Sequence, residues 1–88
     1  KINISCTVEN KTLIIDVFHP VQNVEKHYID LISISINGKE VKKINFSRQS
    51  DKKGEKAELT IPEITSGCKI TVRASCNEFG SKSVSKKI

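Results

Sequence analysis

The chain has 88 residues, 36% of them hydrophobic, with four aromatics and neither Trp nor Met. That is enough for one domain with one modest core, built mainly from Ile, Val and Leu, a composition that favours strands over helices. No apolar run approaches the roughly 20 residues of a membrane-spanning helix, and no signal-peptide core is visible, so no membrane partner is expected.

The net charge is +5, from fifteen Lys and Arg against ten Asp and Glu. The excess gathers between Lys39 and Lys56, where seven bases meet three acids, and again at Lys82, Lys86 and Lys87. Nucleic-acid binding calls for bases interleaved with exposed aromatics, and Phe18, Tyr28, Phe46 and Phe79 are not paired with the Lys runs in this way. The expectation is a solvated basic surface and no nucleic-acid partner. Such a surface still raises the local concentration of small anions.

In chain order, residues 2–8 (INISCTV) alternate apolar and polar side chains, the period of a half-buried strand. Residues 9–11 read as a tight turn, and residues 12–18 (TLIIDVF) form a second β-branched run, so the first two strands are expected to pair as a hairpin. Pro20 ends that strand, since it donates no ladder hydrogen bond. Residues 28–36 (YIDLISISI) place Ile32, Ile34 and Ile36 on one face, and Asn37-Gly38 then gives a strong hairpin signal into a return strand at 40–46. Residues 47–55 (SRQSDKKGE) are polar and contain Gly, which predicts a surface loop.

A fifth strand is predicted over 56–61, stopped by Pro62. Residues 68–76 are the most regular strand, with Cys68, Ile70, Val72, Ala74 and Cys76 on one face, and residues 81–88 can pair back as a weak last strand. Seven short strands with no helical periodicity predict an all-β fold, a seven-stranded antiparallel immunoglobulin-like β-sandwich. It is read as a single domain over 1–88, and the opening Lys suggests a domain excised from a longer chain.

The three cysteines are Cys6, Cys68 and Cys76. Cys68 and Cys76 share one predicted strand and lie roughly 26 Å apart along it, beyond the reach of a disulfide. An odd cysteine count without an export signal fits a reducing, cytoplasmic setting. Cys6 and Cys68 read as core residues.

The chemistry is concentrated in two stretches. Residues 19–29 (HPVQNVEKHYI) hold both histidines of the chain, and residues 76–80 (CNEFG) open with Cys76 at the end of the regular strand. Two imidazoles and a thiolate are metal ligands if the fold brings them together. Taken singly, each is ordinary: a His beside Pro is commonly a surface residue, and a core-facing Cys is commonly a small hydrophobe. Serine-nucleophile catalysis has no support, because no nucleophile elbow or orienting carboxylate is evident, and Asp16 and Asp30 are read as solvent-facing. Phosphate-binding glycine motifs are absent.

HPVQNVEKHYIDLISI followed by ASCNEFG resembles the iron-binding domain of the superoxide reductases, the desulfoferrodoxin and neelaredoxin family. The resemblance implies a seven-stranded immunoglobulin-like sandwich. It also implies ferrous iron held by four equatorial histidines and an axial cysteine thiolate, with an open position for superoxide. Carried over by residue, His19 matches the histidine of the family's His-Pro, His27 the histidine before its aromatic-Ile pair, and Cys76 the axial thiolate. Asn77 and Gly80 match the loop scaffold, and Tyr28 and Ile29 the start of the strand that follows.

The departures matter as much. Phe79 stands where the family has a fourth equatorial histidine, and a benzyl group offers no donor atom. The remaining histidine and the family's catalytic lysine would fall at or before Lys1, and two extra residues separate His19 from His27. The resemblance therefore implies an incomplete or remodelled centre with three of five ligands.

Two functions follow as expectations. One is reduction of superoxide at iron held by His19, His27 and Cys76, with further ligands supplied upstream and an electron donor as partner. The other is a non-catalytic immunoglobulin-like interaction or accessory module whose metal site is lost. A third possibility, the small sandwich subunit of the thiosulfate-oxidation system, shares a His-Pro loop but does not use a CNEFG-type loop.

Overall fold

A computed structural model describes residues 1–78 and 80–88. Phe79, where the resemblance expects a ligand histidine, lies outside the described residues. Seven strands follow in order: β1 (Ile2–Thr7), β2 (Thr12–Phe18), β3 (Ile29–Ile36), β4 (Lys39–Asn45), β5 (Gly54–Thr60), β6 (Lys69–Cys76) and β7 (Ser81–Lys87). There is no helix among the described residues, and so none long and apolar enough to cross a membrane.

The strands form two antiparallel sheets, ordered β1-β2-β5 and β4-β3-β6-β7, which makes the expected immunoglobulin-like sandwich. All three local hairpins form. Asn37 and Gly38 have φ of 51° and 86° in the turn between β3 and β4, the left-handed pair that a two-residue hairpin requires. So short a turn leaves β4 no freedom but to lie beside β3. The chain crosses between sheets at β2 to β3, β4 to β5 and β5 to β6.

The core follows from strand alternation. Leu13, Ile15 and Val17 of β2 face Ile32, Ile34 and Ile36 of β3 and Ile70, Val72 and Ala74 of β6, all buried. Ile61, Ile64 and Cys68 close one end of this core, and Cys6 packs against it half-buried. All three cysteines are free thiols. Burial pushes the Cys6 thiol above its ordinary range, and the neighbouring Cys68 adds to this, so Cys6 keeps its proton and behaves as a small apolar side chain.

Two expectations need correction. The fifth strand begins at Gly54 rather than at residue 56, because β2 runs to Phe18 and pairs Val17 with Glu55 and Phe18 with Gly54. The loop before it is not wholly a surface loop either, since Gln49 is fully buried. Glu55 anchors that loop: its carboxylate, 4% exposed, accepts hydrogen bonds from Ser50 N–H at 3.0 Å and from Ser50 Oγ–H at 2.5 Å.

Gly54 is required by close approach. A Cβ there would stand 1.8 Å from the carbonyl oxygen of Val17, so any side chain would push β5 off the end of β2. Gly54→Ala is expected to destabilise the fold by more than about 1 kcal/mol. Ile34→Ala, at a fully buried position, should cost about 2–5 kcal/mol, whereas Ile14→Ala on the outer face of β2 should stay within about 0.5 kcal/mol. Urea unfolding of the three variants checks the ranking.

Candidate metal centre

The centre is assembled from the β2–β3 connection and the end of β6. Past Phe18 the chain continues along the loop that precedes β5. His19 N–H donates to Lys53 O at 2.8 Å and Val21 N–H to Lys52 O at 2.8 Å. Pro20 falls between them, where its missing N–H leaves no gap in that pattern. His19 is thus fixed at the tip of a strand-like extension.

A turn then reverses the chain. Asn23 Oδ1 accepts from Glu25 N–H at 3.0 Å, and Asn23 O accepts from the N–H groups of Lys26 and His27 at 3.2 and 3.0 Å. This use of the side chain in place of a backbone partner is the turn chemistry of Asn. It delivers His27 two residues before β3, on which Ile29 pairs with Cys76 of β6.

Asn77 locks that junction. Its Oδ1 accepts from Tyr28 N–H at 2.9 Å, its Nδ2 donates to Lys26 O at 3.0 Å, and its own N–H donates to Tyr28 O at 3.0 Å. These three bonds bracket His27 from both sides in sequence. The Cys76 N–H donates to Gly80 O at 3.0 Å, and Gly80 takes a φ of 96°, in the left-handed region that favours glycine. The two residues matched to the family's loop scaffold therefore have definite tasks here.

The result is convergence. The ligand atoms of His19, His27 and Cys76 all lie within 4.8 Å of one another, and each residue is half-buried. His27 Nε2 lies 2.9 Å from Cys76 Sγ. The two imidazoles meet edge to face, with ring centroids 4.8 Å apart at 86°. Metal–ligand distances of about 2.0–2.3 Å around a tetrahedral ion place donors roughly 3.5 Å apart. Shifts on the order of 1 Å would bring these three onto one ion, so the donor set fits a first-row transition metal with room for further ligands. Asp16 and Asp30 are not part of this group; Asp16 is exposed and Asp30 half-buried.

Two residues escaped the sequence reading. Gln49, in the polar loop before β5, reaches His19 with its side chain: Gln49 Oε1 lies 2.8 Å from His19 Nδ1. Nothing in SRQSDKKGE distinguishes this residue from its polar neighbours. Lys82 is exposed, as expected of the basic tail, but its register gives it a place beside the site. It sits opposite Ala74, a core-facing residue of β6, and lines a cavity of about 310 Å³ together with Val17, Phe18, His19 and Cys76. Strand alternation across β6 and β7 was the signal that could have found it.

Asn77→Ala is expected to cost about 0.5–1.5 kcal/mol, because it removes the side-chain hydrogen bonds to the Tyr28 N–H and the Lys26 carbonyl. Chemical denaturation measures that loss, and the Cys76 Cβ resonance should shift as the contact with His27 loosens. Compared with protein-family models, with curated proteins and with solved structures, the chain matches none.

Proposed function

We propose that this chain is a metal-binding immunoglobulin-like domain whose centre, formed by His19, His27 and Cys76, takes a transition-metal ion and, loaded with iron, reduces superoxide. The observation that supports this reading is the meeting of two imidazoles and a thiol, 49 residues apart between His27 and Cys76, at one end of a sandwich whose remaining sequence offers no comparable chemistry. A soft thiolate with two imidazoles suits iron, zinc or copper. Three protein ligands leave positions open, the arrangement of catalytic rather than closed structural sites.

Ferrous iron, when bound, supplies the one electron that with two protons converts superoxide to hydrogen peroxide. The protein's part is to bind and attract. To a bound ion His19 and His27 would offer neutral imidazoles and Cys76 a thiolate. Lys82 stands at the adjoining cavity, where an ammonium favours approach of a small anion. The open side of that cavity gives an electron donor access to the same end of the sandwich.

A second reading is favoured by the direct contact between His27 and Cys76. A hydrogen bond of 2.9 Å satisfies both groups without an ion, as an accessory module with no metal would require.

Titration with Co(II) separates the two. The metal-binding reading expects one ion per chain and a thiolate-to-metal charge-transfer band that is lost in Cys76→Ser. Iron-loaded protein should consume superoxide, and Lys82→Ala should slow that reaction at low ionic strength while leaving metal content unchanged. Folded protein that takes up no Co(II) or iron would leave the accessory module.

A further inference from the structure

We infer that Gln49 is a positioning residue that holds His19 with its proton on Nδ1, and so leaves the lone pair on Nε2. The argument begins with the orientation of the amide. Gln49 Nε2 lies 2.8 Å from two carbonyl oxygens, His19 O and Asp51 O. Gln49 Oε1 lies 3.2 Å from the Ile29 N–H. Exchanging oxygen and nitrogen would set a carbonyl against two carbonyls and an amine against an N–H. Only one orientation therefore satisfies its three backbone partners.

With the amide fixed, the atom facing His19 Nδ1 at 2.8 Å is an acceptor. The imidazole must donate to it. In a neutral histidine that places the hydrogen on Nδ1 and leaves Nε2 as the lone pair. Gln49 is fully buried, so water does not compete for the oxygen, and a wrong tautomer would oppose two lone pairs in a dry site. All four hydrogen-bonding capacities of the amide are used.

The loop that carries Gln49 is itself held. Gln49 N–H donates to Val24 O at 2.9 Å, inside the histidine loop, and the next residue, Ser50, is bound twice by the buried Glu55 carboxylate. A partner that fixes tautomer and ring orientation from behind commonly changes metal affinity by about 10–100-fold. Only this last consequence rests on the metal-binding reading; the placing of the proton does not.

The test uses metal-free protein carrying 15N-labelled histidine. Two-bond proton–nitrogen correlation spectra, recorded where the imidazoles are neutral, distinguish the tautomers. The wild type is expected to show His19 protonated at Nδ1. Gln49→Met should shift His19 toward the Nε2–H form that exposed imidazoles favour, with His27 unchanged as internal control, and Gln49→Glu, which keeps an acceptor oxygen, should leave Nδ1 protonated. Co(II) affinity should fall about 10–100-fold in Gln49→Met.

A wild-type His19 protonated at Nε2 overturns the inference, and so does a folded Gln49→Met that retains Nδ1–H. If Gln49→Met does not fold, the tautomer of the wild type decides by itself. A wild type that shows Nδ1–H yet takes no Co(II) upholds the role of Gln49 and overturns the metal-binding reading instead.

Discussion

The buried amide of Gln49 is the constraint on which this end of the molecule depends. Its carboxamide joins the end of β2, through His19 O, to the start of β3, through Ile29 N–H, and to its own loop, through Asp51 O. Those two strands belong to different sheets. No ladder hydrogen bond runs between them at this point, so the amide substitutes for one. Burial strengthens each of these bonds and makes any of them costly to leave unmade. Glu55 repeats the device one step further out by fixing Ser50. Among the described residues no buried side-chain polar atom lacks a partner.

This arrangement explains how half-buried donors on a connection can be held as firmly as donors on a strand. The β2–β3 connection is fastened at four places: to residues 52 and 53 by its first part, to Gln49 by Val24, to Asn77 by Lys26 and Tyr28, and across its own turn by Asn23. Cys76, by contrast, is placed by the ladder itself, at the last residue of β6. The proposed centre, built partly on a fastened loop and partly on a strand end, would need only small shifts to close on an ion. The immunoglobulin-like frame puts the ends of β2 and β6 at the same pole, with the adjoining cavity between the two sheets.

The resemblance to superoxide reductases rests on motifs, and it is the spatial meeting of those motifs that gives them weight in the proposal. His19, His27 and Cys76 sit together at one pole, and Asn77 and Gly80 shape the loop next to the thiol. In the proposal the three donors are His19, His27 and Cys76, and Gln49 and Lys82 are features of this chain's own geometry rather than parts of the matched motifs.

Much of the fold was legible in the sequence, because strand periodicity and turn chemistry are local. Alternation in 28–36 and 68–76 identified inward faces that became the core, and Asn37-Gly38 set β4 beside β3. The residue types at His19, His27 and Cys76 were equally plain. What tertiary structure decided was proximity: whether the tip of β2, the approach to β3 and the end of β6 share one pole is a matter of sheet packing, which no spacing along the chain encodes. The same holds for Gln49, whose polar neighbours disguise it, and for the start of β5, drawn back to Gly54 by the length of β2. Local pattern fixes what each residue faces along its own strand, and only packing fixes what it meets across the gap.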